Sequence, residues 1–272
     1  MNILMLGDVV GRPGRDAVKA HLPGLRRDLA IDVAIVNAEN AAHGFGLTEK
    51  ICGELYDAGA DVLTTGNHAW DQREIIPYIE REPRLLRPAN FPPGTPGAGS
   101  CLHRLADGRS LLVINLMGRL FMDALDCPFR GLDALIAGEA LGDGAAIVVD
   151  FHAEATSEKA AFGHYCDGRV SAVVSTHTHI PTADHQVLPG GTGYISDLGM
   201  CGNYDSVIGM QKEPSIRRFV TKMPTGNKPQ VAEGGEGTLC GAFIVIDDAT
   251  GLARRVEPVR LGGRLAPYVP LP

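Results

Sequence analysis

Long apolar runs, a basic surplus and closely paired cysteines are all missing from this chain of 272 residues. No apolar stretch approaches the ~20 residues that cross a bilayer. The amino-terminal run Met1-Asn2-Ile3-Leu4-Met5-Leu6-Gly7-Asp8 has no basic leader and meets a carboxylate early. It therefore reads as a strand and not as an export signal. The formal net charge is −7, and a negative body repels duplex nucleic acid and anionic membrane. A small phosphate ester stays compatible with that charge if bound metal overrides it locally. Six cysteines stand at 52, 101, 127, 166, 201 and 240, none in a C-x-x-C pair. This argues against a zinc knuckle or a disulfide framework and for reduced thiols in a cytoplasmic protein.

What is present is an ordinary globular composition, 44% hydrophobic and 21% charged, with ample volume for a core. The first ~80 residues read β-α-β-α-β-α. Strands are expected near 3–6, 32–36 and 61–65. Helices are expected over 11–29, from a Thr48 cap to Gly59, and from an Asp71 cap to Ile79. Further on, 101–105 and 111–116 read as a hairpin, 132–141 and 157–165 as helices, and 145–149 and 170–175 as buried strands. Antiparallel strands are expected near 186–188, 192–195 and 241–247, with 254–261 closing a sheet. Two Pro/Gly-rich loops, 90–100 and 222–237, suit an interface between copies or a lid. The expectation is one α/β domain over 1–272, with two packed sheets flanked by helices.

Five polar clusters follow the apolar runs: Gly7-Asp8, Asn37-Ala38-Glu39-Asn40, Gly66-Asn67-His68, Asp150-Phe151-His152 and Thr176-His177-Thr178-His179. In α/β sheets, sites form beyond the carboxyl ends of strands, so the clusters are expected to meet at one rim. The i, i+2 spacing of His177 and His179 puts both imidazoles on one face of an extended chain. Each cluster alone also fits a turn, a cap or a structural histidine. Together they offer carboxylate, amide and imidazole donors without thiolate, which suits a pair of Fe, Mn or Zn ions better than Mg or Ca.

These clusters, in this order, resemble calcineurin-like metallophosphoesterases. The longer stretches Gly66-Asn67-His68-Ala69-Trp70-Asp71, 149–159 and Asp197-Leu198-Gly199-Met200 are similar to the YmdB-like bacterial branch, over Asn2 to about Val259. The resemblance implies an α/β/β/α sandwich, a 2′,3′-cyclic-nucleotide phosphodiesterase activity and two metal ions, iron or manganese first, with zinc or magnesium as alternatives. Val10 stands where the wider superfamily has a histidine ligand, Glu39 replaces its bridging aspartate, and Asn40 is the substitute ligand. Carried over, Asp8, Glu39, Asn40 and His179 hold one metal. Glu39, Asn67, His152 and His177 hold the other, and His68 is the general acid.

Some residues keep two readings. Asp150 and Glu154 either orient a ligand imidazole or form a solvated strand end. His43 contacts substrate or is a surface histidine. Tyr204 stacks on a base or belongs to a wall over 199–210. Trp70 is expected to pack under the Asn67-His68 turn. The rival functions are a phosphomonoesterase or broader phosphodiesterase, and a nucleotide-binding regulatory module using the same metals.

Overall fold

The computed structural model describes residues 1–223 and 229–272; of the loop expected over 222–237, residues 224–228 lie outside the described residues. In chain order the elements are β1 (Asn2–Leu6), β2 (Asp8–Val9), α1 (Gly11–Asp28), β3 (Val33–Asn37), α2 (Glu49–Asp57), β4 (Val62–Thr64), α3 (Ile75–Ile79), β5 (Ser100–Arg104), β6 (Ser110–Met117) and α4 (Pro128–Leu135). There follow β7 (Ala145–His152), α5 (Thr156–Cys166), β8 (Ala172–Thr176), β9 (Gln186–Val187), β10 (Gly193–Ile195), β11 (Met200–Cys201), α6 (Lys212–Thr221), β12 (Leu239–Ile246) and β13 (Ala253–Leu261). One sheet has five strands in the order β13-β12-β1-β3-β4; a second has six, β5-β6-β7-β8-β10-β9. β2 pairs with β11 as a short parallel ribbon.

Strand alternation explains the layering. Successive side chains point to opposite faces of a sheet. Ile3 and Met5 of β1 face the second sheet, in one cluster with Val113, Val148 and Val174. Leu4 and Leu6 face the other way, onto Val18, Leu22 and Leu25 of α1 and Leu55 of α2. The outer face of the second sheet, with Ile147, Val149 and Phe151, packs on Leu132 of α4 and Phe162 of α5. The Phe151 and Phe162 rings stack with centroids 4.1 Å apart. The order is helices, sheet, sheet, helices, as the sequence led one to expect.

Several boundaries differ. β7 runs on to His152, because Phe151 is a core residue and His152 pairs in register with Met117 and Thr176. α4 starts at Pro128 and stops at Leu135, well before residue 141; proline suits the first turn, and Gly138 at φ 88° lies beyond its end. α3 begins at Ile75 with no side-chain cap, so Asp71 does not cap it. β10 pairs with β8 in parallel, and only β9 runs antiparallel to it. The sequence reading missed α6 entirely; its apolar residues Ile216, Phe219 and Val220 are spaced as in a helix, but the helix is short and buries none of its residues. Among the described residues no helix is long and apolar enough to cross a membrane.

Candidate metal centre

β1, β3 and β4 are parallel neighbours, as are β7 and β8. Their carboxyl ends deliver Asp8, Glu39 with Asn40, Asn67 with His68, His152, and His177 with His179 to one place. The two sheets are stitched together just beneath. Asn37 Nδ2 donates to Asp150 Oδ2 at 3.1 Å, and Thr64 Oγ1 donates to the same oxygen at 2.5 Å. Above them the His177 amide donates to Asp8 Oδ2 at 3.1 Å.

The donor atoms fall into two overlapping groups. Ligand atoms of Glu39, His152 and His177 all lie within 4.8 Å of one another. His152 Nε2 is 3.2 Å from Glu39 Oε1, 3.0 Å from Asn67 Oδ1 and 3.0 Å from His177 Nδ1. In the second group, Asn40 Nδ2 is 3.0 Å from Glu39 Oε1 and 3.2 Å from His179 Nε2, and His179 Nε2 is 3.9 Å from Asp8 Oδ1. Glu39 belongs to both. All seven expected metal positions are thus brought together. His177 and His179 do not arrive on extended backbone as expected. Their φ values are 100° and 68°, a left-handed turn that costs of order 1–3 kcal/mol for each such residue.

The donor set fits a cation. Bonds of about 2.1 Å space adjacent ligand atoms about 3 Å apart, the separation seen around His152. Asp8 Oδ1 is buried without any hydrogen-bond partner, which a bare carboxylate oxygen tolerates only opposite positive charge. Gly66 is required here: a Cβ would lie 2.2 Å from the His152 ring and 2.4 Å from Glu39 Oε2.

Burial works against a charged His152, yet Glu39 first and then Asp8 hold its pKa up, at about 9. Burial likewise opposes the Glu39 carboxylate, but His152 outweighs it and keeps Glu39 low. Burial raises Asp8, with His179 and His152 pulling the other way. Burial, then the charge on His152, pushes His177 down to about 3, so its imidazole is neutral. A metal ion would take the place of the His152 proton.

Supporting contacts surround these donors. His152 Nδ1 lies 2.8 Å from Thr176 Oγ1, which donates to Asp150 Oδ1 at 2.8 Å. Asp150 therefore braces His152 through a threonine, and Glu154 Oε2 sits 3.2 Å from His177 Nε2. His68 Nδ1 is 3.4 Å from Asp71 Oδ2, and Phe45 meets its ring edge-on at 5.0 Å. A cavity of about 820 Å³ opens over Glu39, Asn40, His68, His177 and His179, walled by Ile208, Met210, Arg218 and Phe219. A neighbouring hollow of about 710 Å³ shares Phe45 and takes in His43. Tyr204 lines neither hollow. Its ring packs on Val10, Met200, Met210 and Val231, and its hydroxyl donates to the His179 carbonyl or the Met200 carbonyl, 3.1 Å from each. Tyr204 thus props the His179 loop from outside both hollows. Trp70 packs against the α1–α2 core, with Phe91 6.3 Å away. The sequence reading missed two things: the α6 wall, and the buried pair Lys159–Asp197, which stood inside the quoted motifs without a role.

Two sheets between helices, with nitrogen and oxygen donors at the strand ends, define a fold of the metallophosphoesterase type. A family model described as YmdB-like protein matches residues 4–259, and the chain belongs to that family. The 2′,3′-cyclic-nucleotide 2′-phosphodiesterase of Bacillus subtilis (strain 168) is 53% identical over 259 residues, 95% of this chain and 96% of that protein. A hypothetical protein from Thermus thermophilus has a TM-score of 0.89 at 43% identity, covering 97% of this chain and 100% of that one. A phosphatase from Mycoplasma pneumoniae also has a TM-score of 0.89, at 36% identity over 96% and 93% of the two chains.

Proposed function

We propose that this protein is a dinuclear metal-dependent phosphodiesterase that hydrolyses small 2′,3′-cyclic nucleotides. The observation that supports the reading most is the ring of donors around Glu39 and His152, with His68 beside it at the floor of one cavity. Asp8, Glu39, Asn40 and His179 hold one ion, and Glu39, Asn67, His152 and His177 the other. Fe or Mn is the favoured occupant, with Zn or Mg as alternatives. Bound there, divalent ions supply charge that grips a phosphoryl group and activates water at neutral pH.

The chain's own residues do the rest. Only Asp8 and Glu39 among the donors are carboxylates, so the loaded centre keeps a positive surplus that favours an anionic diester. The His68 amide donates to Glu39 Oε2 at 3.2 Å, which fixes the residue beside the shared carboxylate. Asp71 faces Nδ1 and Phe45 confines the ring, leaving Nε2 to protonate the departing ribose oxygen. Ile208, Met210 and Phe219 offer an apolar wall to a nucleobase, and His43 lies in the adjoining hollow. The protein acts in the cytoplasm on a small diester. The name of the Mycoplasma pneumoniae relative, a phosphatase, favours phosphomonoester hydrolysis as the second reading.

The test compares kcat/KM for 2′,3′-cyclic AMP, a linear diester and p-nitrophenyl phosphate, with metal content measured on the same protein. Two equivalents of metal and a preference for the cyclic diester are expected. His68→Ala should keep both ions and lose about 10²–10⁴-fold in turnover. A fully active His68→Ala enzyme would remove the acid role, and a preference for the monoester would replace the first reading with the second.

A further inference from the structure

Lys159 and Asp197 form a buried ion pair that the chemistry above does not use. Nζ donates to Oδ2 at 2.7 Å, and both side chains are 1% exposed. Neither residue lines the cavity, so neither is a substrate contact.

What Asp197 does hold is the residue between two imidazoles. The Thr178 amide donates to Asp197 Oδ2 at 3.0 Å, and the Thr178 hydroxyl donates to it at 2.8 Å. The other oxygen, Oδ1, accepts the Gly199 amide at 2.8 Å. Four donors therefore converge on one carboxylate. His177 and His179, on either side of Thr178, are the two left-handed residues of the loop, and backbone in that region persists only where its surroundings over-determine it. Lys159 has its own part. Its ammonium faces a carboxylate whose two oxygens both accept hydrogen bonds from the loop, and so sets its opposite charge beside the clamp. Because Lys159 sits on α5, directly after His152, the pair also ties the His177–His179 loop to the helix that follows His152.

We propose that Lys159 and Asp197 are positioning residues that set the geometry of the His177 and His179 imidazoles for metal binding. The inference rests on the dinuclear reading. A pair serving only to anchor α5 would leave metal affinity alone once its charges were removed together, and this separates the two accounts.

The experiment measures Mn²⁺ affinity and stoichiometry by chelator competition, and Tm of the metal-free protein, for wild type, Lys159→Met, Asp197→Asn and the double variant. Each single variant leaves a buried charge alone, so Tm and Mn²⁺ affinity should both fall. In the double variant Tm should recover, while Mn²⁺ affinity stays about tenfold or more below wild type, because an amide has one acceptor oxygen where the loop uses two. A double variant with wild-type affinity and stoichiometry would overturn the proposal. Should the Asp197 variants not fold, Thr178→Val decides. It removes one donor of the clamp, and a roughly threefold weaker affinity with little change in Tm is expected; unchanged affinity would overturn the clamp. Wild-type protein that took up no Mn²⁺ would overturn the dinuclear reading, and the clamp with it.

Discussion

Across the cavity from each other stand two surfaces built on different principles. On the floor, at the strand ends, Asp8, Glu39 and His152 are fully buried, and each is braced by a second polar group. On the wall, α6 buries nothing, and Ile216, Phe219 and Val220 are 52%, 74% and 77% exposed. A metal centre needs atoms held to a fraction of an ångström, which directional bonds supply. A wall for a flat base needs only apolar area, and the hydrophobic effect is not directional. Losing one atom of the floor should therefore abolish function, and losing one side chain of the wall should only loosen grip.

The largest effect is expected at Glu39, the only residue in both donor groups. Glu39→Gln keeps the shape and removes the charge that opposes His152. The variant should lose at least one metal equivalent, and kcat/KM should fall by about 10³-fold or more. Elemental analysis on the same sample as the kinetics reads both. If Glu39→Gln kept two ions and near-normal turnover, the contrast between floor and wall would collapse.

A smaller effect asks whether the floor's strictness extends beneath the ligands. Asp150 is buried where the sheets meet, and burial raises its pKa to about 6, against the donors Thr64 and Thr176 and the charge on His152. The folded carboxyl thus holds its proton more tightly than the unfolded one. Its contribution to stability is whole below the ordinary value of 3.8 and is lost as pH rises through about 6. In metal-free protein, urea unfolding at pH 4 and pH 7 should show wild type losing stability relative to Asp150→Asn, by up to roughly 3 kcal/mol. Equal shifts in the two proteins would mean that Asp150 is not the titrating brace.

The same contrast explains what was legible in the sequence. The floor was readable because its residues obey strand periodicity and strand-end placement: Asp8, Glu39, Asn67 and His152 each follow or finish an apolar run. The layering was readable because Leu4 and Leu6 alternate with Ile3 and Met5. The turn at His177–His179 was not, since two histidines at φ 100° and 68° break the extended-chain rule, and Asp197, which contacts that loop, lies far along the sequence. Asp150 and Glu154 kept two readings because their partners, Thr64, Thr176 and His177, lie on other elements. The wall was invisible for the opposite reason. The stripe of Ile216, Phe219 and Val220 on α6 is short and meets no core, and Ile208, Met210 and Phe219 acquire a role only beside the cavity they line.

The mildest prediction concerns that wall. Phe219 lines the cavity, yet most of its surface meets water, so little packing stability depends on it. Phe219→Ala should leave Tm and metal content unchanged. The ring's contact with a bound base is partial burial of an aromatic side chain, about 1 kcal/mol. KM for 2′,3′-cyclic AMP should therefore rise by roughly fivefold, with kcat held, since the ring touches no donor atom. A cyclic phosphodiester without a base, such as ethylene phosphate, should show no change in KM. An equal KM rise for both substrates would mean that α6 shapes the floor after all, and a fall in kcat with metal retained would place Phe219 in the chemistry and end the division between the two surfaces.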